Sequence, residues 1–120
     1  MYPLLVLALV LNLLVEAMAA AALIGGPFGI AASGVPGPQR WSMHYGFAVL
    51  AIASAGVWLW PWRRERAALT PVLGILVIFH ASVLTSLLVA GDQPEGVVLH
   101  ATLAVLFAVA FAGRGRIATA

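Results

Sequence analysis

Residues 68–89 read ALTPVLGILVIFHASVLTSLLV, and the only ionisable side chain in this run is His80. An α-helix rises about 1.5 Å per residue, so about 20 predominantly apolar residues cross the hydrocarbon core of a membrane. This run therefore predicts a transmembrane helix. Three further windows have a similar length and apolar character: residues 3–24, 41–60 and 96–112.

Turn-forming residues separate these windows. The ends of the predicted spans fall at Gly25-Gly26-Pro27, Pro61, Gly91 and Gly113. Pro3 and Pro71 suit first helical turns, where the missing N–H costs nothing. The sequence thus predicts an all-α fold, an integral membrane four-helix bundle that forms a single transmembrane domain over residues 1–120.

Composition supports a membrane protein and excludes several classes of site. Of the 120 residues, 63% are hydrophobic and 8% are charged, against roughly 25% charged in a typical soluble domain. Cysteine is absent, which excludes disulfides, thiolate metal ligands and cysteine nucleophiles. The six basic residues are all arginines and no base-reading motif accompanies them. We expect the lipid bilayer as a partner and no nucleic acid.

The arginines predict the orientation. Arg63, Arg64 and Arg66 follow the second span and Arg114 and Arg116 follow the fourth, whereas the opposite side carries Arg40, Asp92 and Glu95. By the positive-inside rule the arginine-rich side faces the cytoplasm. The prediction is an up-down-up-down bundle in the plasma (inner) membrane with both termini cytoplasmic.

The loop over residues 25–40 is mostly apolar but rich in glycine and proline, so it is predicted to be non-helical. Non-helical backbone at membrane depth needs protein or water over its polar groups. The loop is either a lid over the outer face of the bundle or an apolar surface loop.

The polar residues inside the spans are few and fall in one half of the membrane. At about 1.5 Å per residue, His44 and His100 lie roughly 5–6 Å from the outer boundary, and Glu16 and His80 roughly 12–15 Å. Asn12 is four residues before Glu16 and shares its helix face. Because intramembrane ionisable groups are costly, they are functional candidates. These five residues are the predicted binding residues of the outer half.

The helix faces add detail to this prediction. His44 continues into a seam of small residues that lets helices approach closely or leaves room for a flat ligand: Ala48, Ala51 and Ala55. His100 continues into a surface with aromatic walls: Ala104, Phe107 and Phe111. On the third span, His80 lies nearly opposite the weakly polar stripe of Ser82, Thr85 and Ser86. At least one of these two features must face something other than the bundle centre, such as a partner subunit.

Three kinds of ligand chemistry remain open. His44 and His100 lie at matching depth on the second and fourth spans, as two axial ligands of a b-type haem would. His44, His100 and Glu16 have the two-histidine, one-carboxylate composition of catalytic zinc and non-haem iron sites, so a divalent metal ion is a second candidate. In the third reading a quinone or lipid binds where Glu16 and a histidine exchange protons.

The alternative is a protein without chemistry of its own. In that reading the same polar side chains only join helices, a contribution on the order of 1 kcal/mol per contact. The chain is then an accessory subunit, as a homo-oligomer or within a larger membrane complex. The sequence contains no Gly-rich phosphate loop and no nucleophile elbow, and it assigns no catalytic residue.

The overall plan resembles the DoxX-like group of small four-helix bacterial membrane proteins. The resemblance covers most of the chain and rests on the Gly25-Gly26-Pro27-Phe28 loop, Gly46 early in the second span, and a histidine-bearing third helix followed by Gly91-Asp92-Gln93-Pro94. It implies a four-helix membrane fold and an association with membrane redox chemistry, including quinone-linked oxidation of sulfur compounds. It assigns no role to an individual residue.

Overall fold

The computed structural model describes residues 1–28, 37–91 and 93–119. Helices account for 92% of these described residues, and no strand is found among them. The all-α prediction is therefore confirmed. The apolar loop was predicted over residues 25–40, and residues 29–36 of it lie outside the described part, as does Asp92, so its reading as a lid stays a prediction.

Five α-helices and one short 3₁₀ turn form the described chain. The helices are α1 (Tyr2–Phe28), α2 (Gly37–Leu59), α3 (Arg66–Ala90), α4 (Pro94–Ala112) and α5 (Arg114–Ala118), and the 3₁₀ turn is Trp60–Trp62. The first four α-helices are long and apolar enough to cross a membrane. Pro94 occupies the first turn of α4, and Gly91 ends α3 with φ at 72°, a left-handed conformation that glycine adopts without strain.

Several helix ends differ from the sequence-based expectation. α2 begins at Gly37, so residues 37–40 of the predicted non-helical loop are helical. The glycines and proline predicted to end the first span lie inside α1, which continues to Phe28. Pro27 is next to the end of the helix, so its missing N–H removes only one backbone hydrogen bond there. α3 begins at Arg66, which makes Pro71 its sixth residue and places it beyond the first turn. The carbonyl left without this donor belongs to Ala67, which is exposed.

The arginines gather at one end of the bundle, which we call the arginine end: Arg63, Arg64, Arg66, Arg114 and Arg116. Arg63 Nε donates to the hydroxyl of Tyr2 at 2.8 Å, so the start of α1 lies beside the end of α2. Arg114 Nε donates to Thr70 Oγ1 at 3.1 Å, so the start of α3 lies beside the end of α4.

A continuous apolar core fills the half of the bundle next to the arginine end. Its buried members come from all five helices: Leu5, Ala8, Leu9, Leu59, Leu69, Leu73, Leu76, Leu103, Phe107, Ala110 and Ile117. On α3 the buried residues Leu69, Leu73, Leu76 and His80 follow each other at spacings of three and four, which is one helix face. The face that carries His80 is therefore the face that packs into the bundle.

α1 and α2 pack closely along a face of α2 formed by Gly46, Val49, Ala53 and Gly56. A Cβ on Gly46 would lie 2.7 Å from Ile24 Cγ1 and 2.9 Å from Leu23 Cβ, so only glycine allows this approach. The seam predicted on the His44 face is wrong, because Ala48 and Ala51 are exposed. The two glycines let α1 and α2 come closer than alanines would. Because the glycine face of α2 lies against α1, the face that carries His44 is directed outward.

The outward faces of the helices are strongly apolar. Val89 is 84% exposed, Trp58 76% and Ile78 68%. In the most apolar 18-residue stretch of each of the four long helices, at most 33% of the residues are buried inside the protein. Exposure of so much contiguous apolar surface is unfavourable in water but not in the hydrocarbon core of a membrane. The structure is that of a membrane protein with four candidate spanning helices.

Candidate functional site

Four polar side chains meet in the centre of the bundle, at the level where the apolar core ends. Asn12 and Glu16 come from α1, His80 from α3 and His100 from α4. Asn12 and His80 are fully buried, Glu16 is 2% exposed, and the side chain of His100 is 13% exposed. We call these four residues the polar cluster, and the part of the bundle from the cluster to the end opposite the arginines the far half.

Hydrogen bonds connect three members of the polar cluster in a chain. Asn12 Nδ2 donates to the carbonyl of Ile52 at 3.1 Å, which leaves Asn12 Oδ1 to accept from His80 Nε2 at 3.0 Å. His80 therefore carries its proton on Nε2, and its Nδ1 is a lone-pair acceptor. His100 Nδ1 lies 3.0 Å from that nitrogen and donates to it.

Glu16 stands beside this chain without joining it. Its Oε1 lies 3.7 Å from His80 Nδ1 and 3.9 Å from His100 Nδ1, beyond hydrogen-bond length in both cases. Among the described residues this buried oxygen has no hydrogen-bond partner. A buried polar atom left unsatisfied costs about 1–3 kcal/mol, so the fold keeps this carboxyl group at the expense of its stability.

Aromatic rings hold the two imidazoles in place. The ring of Phe107 stacks on His80 with centroids 5.5 Å apart and planes 9° from parallel. Phe79 meets His80 and His100 edge-on, at 5.1 and 6.4 Å between centroids. Because packing fixes the rings, the direction of each Nδ1 is fixed as well.

A cavity of about 630 Å³ opens from the polar cluster into the far half. Glu16 and His100 form its inner end. All four long helices contribute to its other walls: Ala19, Leu23, Tyr45, Val49, Phe79, Ser82, Val83, Ser86, Leu87, Gln93 and Gly96. Most of this lining is apolar, with a few polar groups, as in typical small-molecule sites.

The structure brings together four of the five residues that the sequence singled out. Asn12, Glu16, His80 and His100 form the polar cluster, whereas His44 is an exposed side chain on α2 outside it. The carboxylate and two histidines that converge are thus Glu16, His80 and His100, with His80 in the place expected for His44. The spacing of His80 from Leu73 and Leu76 was the sequence signal for this burial. Tyr45, which lines the cavity, was not predicted.

The geometry does not favour the haem reading. Two axial imidazole nitrogens on opposite sides of an iron are about 4 Å apart, with the porphyrin between them. His80 Nδ1 and His100 Nδ1 are 3.0 Å apart and face each other directly. The pair predicted from depth, His44 and His100, is not arranged as two axial ligands either. His44 is exposed, whereas His100 is directed at His80.

Comparison with known proteins adds no assignment: no family model, no curated protein and no solved structure matches the chain.

Proposed function

We propose that this is a redox-associated integral membrane protein that binds a quinone, most readily in its quinol form, with the headgroup at Glu16 and His100. The proposal is carried by one observation: a cavity whose inner end presents a carboxyl group with an unpartnered oxygen. The resemblance to DoxX-like proteins, which implies quinone-linked chemistry, is a further reason for this proposal.

The hydrogen-bonding capacity of the cavity end matches a quinol hydroxyl. Glu16 lines the cavity, and its buried Oε1 has no donor among the described residues, so the carboxyl group is free to turn and accept from a hydroxyl there. Because His100 donates through Nδ1, its Nε2 keeps a lone pair. The hydroxyl of Tyr45, which also lines the cavity, can donate to a quinone carbonyl. The site thus offers two acceptors and one donor to a headgroup that carries oxygens on opposite sides of its ring.

The size and walls of the cavity suit the rest of such a molecule. Its volume of about 630 Å³ lies within the range of about 300–1,000 Å³ found for small-molecule sites. Phe79 offers a flat aromatic surface to a ring, and Leu23, Val83 and Leu87 offer apolar contacts to a side chain. The helices around the opening are apolar on their outer faces, so an isoprenoid tail leaves the cavity directly into lipid.

The proposal includes an orientation. The four long helices cross in alternating directions with the arginine end and both termini in the cytoplasm, which puts the cavity in the outer half of the plasma membrane. The contacts of Arg63 with Tyr2 and of Arg114 with Thr70 support this order, since each joins the start of one helix to the end of the next. The positive-inside rule supports the direction.

The ligand is tested by photo-crosslinking the purified protein with an azido-quinone and mapping the labelled peptide by mass spectrometry. We expect label within residues 79–100 and at least about 10-fold less in Val83→Phe, because the larger ring fills the cavity. Val98→Phe, an exposed position on α4 outside the cavity lining, is the matched control and should label like the wild type.

Equal labelling of the two phenylalanine variants would contradict the proposal, as would no labelling of the wild type. A protein that takes up no quinone but co-purifies with stoichiometric partner subunits would fit the accessory-subunit alternative instead. In that case the cavity is a packing defect that a neighbouring protein covers.

The orientation is tested separately with single cysteines, which give an unambiguous signal because the chain has none of its own. Gln93→Cys at the start of α4 should react with a membrane-impermeant maleimide on intact cells. Gly115→Cys in α5, where nothing lies within 4 Å of an added Cβ, should react only after permeabilisation. The reverse labelling pattern would show that the bundle has the opposite orientation in the membrane.

A further inference from the structure

We propose that Glu16, His80 and His100 form a binding site for one divalent first-row transition ion of the zinc or ferrous iron type, with an open coordination position facing the cavity. The ion site goes beyond the quinone proposal and does not require it, because His80 is a ligand of the ion but does not line the cavity. The two ideas can therefore fail separately.

The three candidate ligand atoms are at the right distances. His80 Nδ1, His100 Nδ1 and Glu16 Oε1 form a triangle with sides of 3.0, 3.7 and 3.9 Å. A point equidistant from all three lies about 2.1 Å from each, within the usual range of about 2.0–2.2 Å for zinc bonds to histidine and carboxylate. The two Nδ1 atoms face each other in the ion-free site, so both imidazole rings must turn for their lone pairs to point to an ion there.

The surroundings prepare the histidines as ligands. Asn12 Oδ1 accepts the Nε2 proton of His80, which leaves Nδ1 as the lone pair that an ion requires. Histidine ligands of metals usually have such a partner on their other nitrogen. Asn12 is itself held by the Ile52 carbonyl, so it acts as a positioning residue for His80. On binding an ion, His100 remains a neutral imidazole: its proton moves from Nδ1 to Nε2 by exchange with solvent in the cavity, so that Nδ1 offers a lone pair to the metal.

The unpartnered Glu16 oxygen is the second, independent indication. It is buried, it lacks a hydrogen-bond partner among the described residues, and it lies at similar distances of 3.7 and 3.9 Å from the two Nδ1 atoms. A cation at the centre of the triangle satisfies it directly. Two histidines and one carboxylate are the protein ligands of several catalytic zinc and non-haem iron sites.

The ion would lie in the wall of the cavity. Glu16 and His100 line the cavity while His80 lies behind them, so the free coordination position is directed towards the open space. A water molecule or a ligand oxygen can occupy it. If a quinol is the ligand, the ion gives its oxygen a cationic partner in addition to the acceptors and the Tyr45 donor of the ion-free site.

The experiment measures metal binding to protein purified with a histidine-free tag and stripped with a chelator. Zn²⁺ is added in excess, unbound ion is removed, and bound zinc is counted by mass spectrometry. Co²⁺ serves as a spectroscopic probe, since a low-symmetry site with nitrogen ligands gives visible absorption. We expect one ion per chain, and affinities weakened at least about 100-fold in Glu16→Gln and His100→Gln, since even loss of an outer partner costs about 10–100-fold.

His44→Gln is the matched control, because His44 is a histidine of the same half that lies outside the triangle. It should bind one Zn²⁺ with wild-type affinity. Glu16→Gln keeps the size and polarity of the side chain, and circular dichroism confirms that it folds. A wild type that binds no stoichiometric Zn²⁺, or one whose binding survives Glu16→Gln and His100→Gln, overturns the ion site.

The cavity variant separates this result from the quinone proposal. Val83→Phe blocks the cavity without touching a ligand atom, so it should keep its Zn²⁺ while losing the azido-quinone label. Loss of zinc binding in Val83→Phe together with intact labelling would contradict the assignment of the ion to the triangle.

Discussion

The two halves of this bundle are built from the same helices but differ in what fills them. Towards the arginine end, apolar side chains from all five helices, Phe107 among them, pack into one continuous core. In the far half the same helices surround a polar cluster and a cavity of about 630 Å³. One half is organised for packing. The other holds empty space and a carboxyl oxygen that has no hydrogen-bond partner in the described part of the chain, which packing alone does not explain.

The difference matters more in lipid than it would in water. Lipid tails are as apolar as leucine, so helices in a membrane associate mainly through close packing and interhelical hydrogen bonds. A cavity loses such contacts on one side of every residue that lines it. We therefore expect the arginine-end half to supply most of the stability and the far half to supply the binding site.

The largest expected effect is on the packed half. Leu73→Ala removes a fully buried side chain from the core and should lower the free energy of unfolding by about 2–5 kcal/mol. Leu87→Ala, a substitution of the same size in the cavity wall, should cost less than half as much, because that side chain already borders empty space. Unfolding in a titration with sodium dodecyl sulfate, followed by circular dichroism, measures both. Equal losses would remove the distinction between the halves.

A second prediction tests an exception to this difference between the halves, because α1 and α2 pack closely along one seam of the far half. Gly46→Ala places a Cβ 2.7 Å from Ile24 Cγ1 and 3.3 Å from the Ile24 backbone nitrogen, so α1 and α2 must separate. We expect a loss of about 1–3 kcal/mol in the same unfolding assay. Gly115→Ala at the arginine end meets nothing within 4 Å and should be neutral or slightly stabilising. If Gly46→Ala is also neutral, the seam is not close-packed.

Most of the fold could be predicted from the sequence, because hydrophobic length alone determines what can span a membrane. Residues 68–89 and the three similar windows correspond to α3, α1, α2 and α4, with ends that differ by a few residues. The ends differ because a proline near a helix terminus removes only one hydrogen bond, as Pro27 and Pro71 show. Nothing in the sequence pointed to α5, a single short turn of helix.

The site could be predicted only in part. Depth along each helix placed Asn12, Glu16, His80 and His100 in one half, and they do meet. The rotation of each helix about its axis was harder to infer, since α2 has small apolar residues on several faces. The alanines beside His44 suggested one seam, whereas Gly46 and Gly56 form the actual one. That difference of about half a helical turn moved His44 out of the site.

A third prediction concerns the support of the site from behind. Asn12→Ala removes the acceptor for His80 Nε2, so His80 can place its proton on the nitrogen that faces the ion. Zn²⁺ affinity, measured by competition with a chelating dye, should fall about 10–100-fold. Asn12→Asp retains an acceptor oxygen and should recover most of the affinity. Equal weakening in the two variants would show that Asn12 is needed for packing only, and the far half would then lack a prepared metal site.

The smallest expected effect has the opposite sign. In chelator-treated protein, Glu16→Met replaces a buried carboxyl group, whose Oε1 has no hydrogen-bond partner among the described residues, by an unbranched apolar side chain of similar length. Replacing an unsatisfied polar group by an apolar one of similar shape is neutral or stabilising, so the free energy of unfolding should rise by about 1 kcal/mol. The same variant should lose both Zn²⁺ and the azido-quinone label. A gain in stability at the residue most needed for binding is expected where a fold accepts strain for function. A loss of 2 kcal/mol or more, on the scale of the core variant above, would instead make Glu16 a structural residue, and the far half would be packed around it as the other half is packed around Phe107.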